Sequence, residues 1–117
     1  MRYLLIALGG SLGAILRVLI SEALYKVTLY SLPLGIITVN IIGCFLVGLI
    51  FNSLDSKLEP LVVFGFLGAF TTFSAFSKET FLMIQDGQIF LAISYVCLSV
   101  ILCLLATWLG MILGSKA

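Results

Sequence analysis

Apolar residues fill four long stretches of this chain, and polar residues collect in the gaps between them. The first stretch runs from about Tyr3 to Leu24, with Glu22, Lys26 and Tyr30 marking its exit. Pro33 starts the second, which ends near Leu54. The run Asp55-Ser56-Lys57-Leu58-Glu59 reads as a polar loop, and Pro60 then stands where proline is tolerated, in the first turn of a helix. The third stretch ends near Met83, just past Lys78 and Glu79, and Gln85-Asp86-Gly87-Gln88 reads as a tight turn. The fourth runs to about Leu113, and Gly114-Ser115-Lys116 closes the sequence. Each stretch approaches the roughly 20 apolar residues that cross a bilayer. The pattern predicts an all-α membrane protein, with residues 1–117 forming a single four-helix transmembrane domain. An even number of spans puts both ends on one side.

Composition agrees. The chain is 62% hydrophobic and only 9% charged, with a mean hydropathy of +1.32. A soluble domain has roughly a quarter of its residues charged, and one core in a chain this short could not hide so much apolar surface. A net charge of +1 leaves no basic patch for nucleic acid. There is no histidine, and the three cysteines, Cys44, Cys97 and Cys103, lie in apolar runs without CxxC spacing. They read as packing residues, since a free cysteine behaves as a small hydrophobe. Met1-Arg2 followed by apolar residues suggests a signal peptide, but no small-residue cleavage site follows and Arg17 interrupts the run, so the segment reads as an uncleaved first span.

Charge does not decide orientation. Arg2, Lys57 and Lys116 fall on one side, and Lys26, Lys78 and Arg17 towards the other, three against three. The Lys/Arg bias that orients membrane proteins is absent. Either subtler signals set the topology, or the chain inserts both ways and pairs antiparallel with itself. Four helices enclose no wide lumen, which favours assembly with a second copy. Gly9, Gly13, Arg17 and Ser21 recur at i+4 on one face of the first helix. Such a face allows close approach of another helix, in the same chain or in a partner.

The third helix carries the most unusual segment, Gly65-Phe66-Leu67-Gly68-Ala69-Phe70-Thr71-Thr72-Phe73-Ser74-Ala75-Phe76. Two glycines and two β-branched threonines weaken a helix near its middle. One reading is a broken helix with Gly68 to Ser74 non-helical, its freed carbonyls satisfied by protein, water or an ion. The other is a continuous helix whose Thr and Ser hydroxyls bond back to i−4 carbonyls. Asn40, in mid-helix 2, either makes an interhelical hydrogen bond or donates to something that permeates. In the fourth helix Tyr95, Ser99, Cys103 and Thr107 form an i+4 stripe, a track of hydroxyl donors or a packing stripe with local back-bonding. Arg17 either snorkels to the interface or places a fixed positive charge at the mouth of an anion pathway. Phe73 and Phe76, at i+3, could turn their partly positive ring edges to a small anion. Weak neutral donors of this kind suit conduction, because an ion must leave as well as enter.

These motifs resemble those of the CrcB/Fluc fluoride channels. The matching pieces are Gly9-Gly10-Ser11-Leu12-Gly13-Ala14 followed by Arg17, Thr38-Val39-Asn40 with Gly43, and Gly65-Phe66-Leu67-Gly68 followed by Thr71-Thr72-Phe73-Ser74-Ala75-Phe76. They occur in the family's order over essentially the whole chain, and the last is highly specific. The resemblance implies antiparallel, dual-topology dimers in the plasma or inner membrane, with two pores for passive fluoride export. It implies Asn40 as the pore amide, Phe73 and Phe76 as the pore rings, and Thr72 and Ser74 beside them. Tyr95 and Ser99 would form the helix-4 polar track, with Thr107 continuing it, and Arg17 would stand near the vestibule. Backbone carbonyls of Gly68 and Thr71 from both subunits would hold a structural Na⁺ at the dimer centre.

Val18, Cys44, Ala69, Ala75 and Cys103 depart from the family's usual residues, Ser being usual at position 44 and expected at 103. Some members pair as heterodimers of related chains. Asn40, both phenylalanines and the balanced charge favour a homodimer here. The competing function is a subunit of a small proton-coupled multidrug exporter. That class needs a carboxylate deep in helix 1, where this chain has only Glu22 near the exit; the remaining carboxylates read as lying in loops or near helix ends. A non-transporting assembly subunit would leave Asn40 and the Thr71–Phe76 segment without a role. No base, nucleophile or metal cluster suggests an enzyme.

Overall fold

A computed structural model describes residues 1–26, 28–29 and 32–115 of the chain. Tyr30 and Lys116, used above to mark an exit and to count charges, lie outside the described residues. Helix α1 covers Arg2–Ala23. Short strands β1 (Thr28–Leu29) and β2 (Leu32–Pro33) pair antiparallel, Thr28 opposite Pro33 and Leu29 opposite Leu32. Helix α2 covers Gly35–Ile50. A π-helical segment, Pro60–Leu67, runs into the short α3, Gly68–Phe70. Helices α4 (Phe73–Gln85) and α5 (Ile89–Ser115) complete the chain.

The fold is mostly helical, and the strand pair corrects the all-α expectation. Three helical stretches are long and apolar enough to cross a membrane: Arg2–Ala23, Pro60–Gln85 and Ile89–Ser115. The second apolar stretch forms a shorter helix than its sequence predicts. Pro33, expected to open it, pairs in β2, and the helix gives way to turns beyond Ile50. At 1.5 Å per residue its 16 residues span about 24 Å, less than the ~30 Å hydrocarbon core. The tight turn after Gln85 is present, with Gly87 at φ 77°.

Two tight helix pairs organise the packing: α1 lies along the π-helical segment, and α2 along α5. The small-residue face of α1 is used inside the protomer. A Cβ at Gly9 would run into the Leu61 carbonyl and come within 2.9 Å of the Phe66 nitrogen; one at Gly13 would meet the Phe66 carbonyl. Gly65 faces them from the other side, where a Cβ would come within 3.0 Å of the Gly10 nitrogen. Backbones meet directly here, which is how helices associate where lipid competes with side chains for apolar contact. Gly48 and Gly110 play the same part between α2 and α5. The buried centre is small and includes Val39, Phe70, Phe76 and Tyr95. Large apolar side chains such as Leu104, Trp108 and Phe81 point outward, as they do in a protein solvated by lipid.

Candidate functional site

The third helix is broken, and the break is narrower than the expected Gly68 to Ser74. Gly68 to Phe70 stay helical; only Thr71 (φ −77°, ψ 147°) and Thr72 (φ −146°, ψ 116°) are extended. Helix resumes at Phe73 because Thr72 caps it, its hydroxyl accepting from the Ala75 N–H at 3.2 Å. A Thr cap contributes about 0.5–2 kcal/mol. The side chain of Thr71 instead bonds back to the Leu67 carbonyl at 2.9 Å. The continuous-helix reading is thus overturned, and only its back-bond to an i−4 carbonyl survives, at Thr71.

Two other helices hold the break open. The Thr72 N–H donates to Asn40 Oδ1 at 2.8 Å, and Asn40 Nδ2 donates to the Thr72 carbonyl at 3.2 Å. A backbone N–H can only meet the amide's oxygen, so this pairing fixes which way the amide points. Gly43, one turn beyond Asn40, makes the room, since a Cβ there would collide with Thr71 Cγ2. From α1, Arg17 Nε donates to the Ala69 carbonyl at 3.0 Å. Arg17 therefore does not snorkel away from the protein; it ends the helix before the break. Among the described residues, no donor reaches the carbonyls of Gly68 and Thr71.

Beside the break lies a cavity of about 260 Å³. Asn40, Thr71, Thr72 and Ser99 give it polar groups, Phe73 and Phe76 aromatic rings, Cys44 and Cys103 thiols, and Val100 an aliphatic wall. No charged side chain is among these residues. Asn40 has two amide hydrogens and spends one on Thr72, so one is left for an occupant. The Ser99 hydroxyl is buried without a partner, and a buried polar group in that state calls for a ligand, ion or water. The Phe73 and Phe76 rings lie 5.5 Å apart and tilted by 59°. Phe76 is buried, whereas Phe73 is 78% exposed on the protomer.

The other expected site residues lie elsewhere. Tyr95 is fully buried, its ring 5.3 Å from that of Phe76, and its hydroxyl donates to Glu79 at 2.5 Å. Glu79 lines a separate cavity of about 230 Å³ with Ser21, Tyr25 and Pro33. Phe76 and Tyr95 thus link the two cavities through rings tilted by 34° to one another. Ser74 Oγ is 3.1 Å from Thr72 Oγ1 on the exposed side. Thr107 bonds back to the Cys103 carbonyl at 3.1 Å and does not line the cavity, so the fourth-helix stripe is continuous in sequence but not in the cavity wall. Sequence reading missed Glu79, placing it near a helix end. Its spacing from the buried Phe76 and Met83, at i+3 and i−4, marks the inner face of α4 and could have found it. It also missed Cys44 as a lining residue, whereas Cys103, placed in the fourth-helix stripe, does line the cavity. Among the described residues, no group of three or more His, Cys, Asp or Glu side chains could hold a metal ion.

A family model described as "CrcB-like protein, Camphor Resistance (CrcB)" matches residues 4–111. The chain belongs to the CrcB-like family. Among curated relatives, the chain is similar to the fluoride-specific ion channel FluC of Magnetococcus marinus, at 43% identity over 93% of this chain and 94% of the relative. It is 45% identical to the fluoride-specific ion channel FluC of Campylobacter lari, over 94% of each. The FluC of Acidobacterium capsulatum is 39% identical over 99% of this chain and 98% of its own length. Membership in this family, with three helical stretches able to span, makes the chain a multi-pass membrane protein.

Proposed function

We propose that the chain is a fluoride-selective channel that lets the ion leave the cell down its electrochemical gradient. The observation that carries this reading is a cavity lined by neutral hydrogen-bond donors and aromatic rings, with no charged side chain: the spare amide hydrogen of Asn40, the unpartnered Ser99 hydroxyl, and Phe73 beside Phe76. Fluoride is the smallest halide and accepts the strongest hydrogen bonds. Such donors replace its water shell without a fixed charge to trap it, which conduction requires. The relatives' names point to the same ion. No covalent chemistry is involved, and the protein is not an enzyme.

In this reading Thr72 and Ser74 flank the pore rings, and Tyr95 holds Glu79 behind them. Thr107 sits towards one end and Arg17 fixes the break. The working unit is an antiparallel homodimer of four-span subunits in the plasma or inner membrane, with two pores. α2 serves as the fourth span despite its length. The balanced charge and the exposure of Phe73 on the single protomer support a second copy. A structural Na⁺ fits the free carbonyls of Gly68 and Thr71, with one protomer offering two oxygens and a partner completing the shell. Its chemistry would be to satisfy those carbonyls.

The decisive experiment is ion efflux from liposomes holding the purified protein. Fluoride should leave rapidly and chloride hardly at all; comparable chloride efflux would overturn the selectivity. The exporter reading gains one point, since Glu79 is a carboxylate within a span. Against it, Tyr95 already occupies Glu79, and a 260 Å³ cavity falls below the roughly 300–1,000 Å³ of organic-ligand sites. A proton gradient should therefore not drive fluoride uphill in the same liposomes. Dual topology predicts that a tag on the C-terminus is labelled from both sides of the cell membrane; labelling from one side only would exclude it.

A further inference from the structure

The two thiols in the cavity wall are the feature that the proposed function leaves unused. Cys44 stands on α2 and Cys103 on α5, and both line the cavity that holds Asn40 and Ser99. These helices form the tightest pair in the fold, locked by backbone contacts at Gly48 and Gly110. Gly48 and Thr107, each one turn beyond Cys44 and Cys103 on its own helix, face each other so closely that a Cβ at Gly48 would collide with the Thr107 carbonyl, which sets the two cysteines at the same level of the α2–α5 seam. Neither is in a disulfide, and both are partly exposed. Cys97 is separate: it is exposed and lines a different cavity, with Thr80 and Ile84.

We infer that Cys44 and Cys103 form a two-thiolate site for a soft, linearly coordinated cation, Hg²⁺, in the wall of the cavity. Thiolate sulfur selects soft cations over Mg²⁺, Ca²⁺ or Na⁺. Tetrahedral Zn²⁺ needs more ligands, and no third His, Cys, Asp or Glu joins the pair among the described residues. A cation satisfied by two sulfurs needs none. Binding breaks two S–H bonds, forms two S–Hg bonds and releases two protons to water, with no change of oxidation state. Two negative sulfurs around one divalent ion give a neutral product, which avoids leaving net charge in an apolar wall. The bound ion narrows the cavity beside Asn40 and Ser99. Its effect on flux rests on the channel reading, whereas its binding does not.

The test uses the full-length purified protein carrying Cys97→Ser, with inorganic mercuric ion as the probe. Serine is also the replacement for the pair, because the family resemblance leads one to expect serine at both positions. One Hg²⁺ per chain should remove both remaining thiols from a thiol reagent in denaturant, and a dithiol chelator should restore both. Adding Cys44→Ser or Cys103→Ser should weaken retention by about 10²–10⁴-fold, the usual advantage of a second ligand held in place. Loss of one thiol per ion, or unchanged retention in the single variants, would overturn the site. In liposomes, Hg²⁺ should stop fluoride efflux through the Cys97→Ser protein and spare the protein lacking Cys44 and Cys103. Efflux that continues with both thiols occupied would overturn the narrowing. Absence of efflux before mercury is added would instead count against the channel reading.

Discussion

Asn40→Asp should abolish fluoride efflux, by at least about 100-fold, while the protein still elutes in detergent as the wild type does. In electrostatic sites, one lost donor typically costs 10²–10³ in rate. The substitution keeps an oxygen for the Thr72 N–H but removes both amide hydrogens. One of those holds the Thr72 carbonyl, and the other is left without a partner on a residue that lines the cavity. It also sets a carboxylate in the proposed path of the anion, beside a carbonyl it repels. Leaving the Thr72 carbonyl unpaired costs about 1–3 kcal/mol, so melting should fall by a few degrees rather than collapse. Phe73→Ile separates the two effects. Phe73 is 78% exposed on the protomer, so its loss should leave the melt near wild type and still cut efflux strongly. Unchanged efflux in both variants would remove the pore assignment.

Gly9→Ala should be far more damaging than Gly10→Ala, although the two positions adjoin. A Cβ at Gly9 would collide with the Leu61 carbonyl, and neither backbone can give way without separating α1 from the π-helical segment. At Gly10 the nearest atom is the Gly65 carbonyl at 3.9 Å, ordinary contact. Overpacking costs about 1–3 kcal/mol, and Gly10→Ala should gain up to about 1 kcal/mol from helix propensity. Thermal unfolding in detergent reads the difference. Equal melting temperatures would mean that the α1 contact is looser than described.

Hydrophobic stretches and turns were legible because the membrane imposes a length and excludes charge. The short α2 was not, because an apolar run does not reveal where its ends leave helical geometry: Pro33 went to a strand and residues past Ile50 to turns. The break was legible as a weakness between Gly68 and Ser74. Its true extent, Thr71 and Thr72, is set by partners far away in sequence, Asn40 and Arg17, which local propensity cannot weigh. From sequence, Asn40 reads as either a structural bond or a pore donor. An amide with two hydrogens has the capacity for both. The serine–threonine stripe of the fourth helix misled at its ends, because i+4 spacing drifts around a helix. Tyr95 turns to Glu79 and Thr107 bonds to its own helix, leaving Ser99 and Cys103 at the cavity.

The partners of the break also imply an order of assembly. A lone Pro60–Gln85 segment in lipid has no Asn40 to take the Thr72 N–H and no Arg17 for the Ala69 carbonyl, and bare backbone groups are intolerable there. Its best option on insertion is an unbroken helix. The kinked form becomes favourable only after α1 and α2 have docked on either side. The site beside it is therefore a late product of folding, made by trading bonds within one helix for bonds among three.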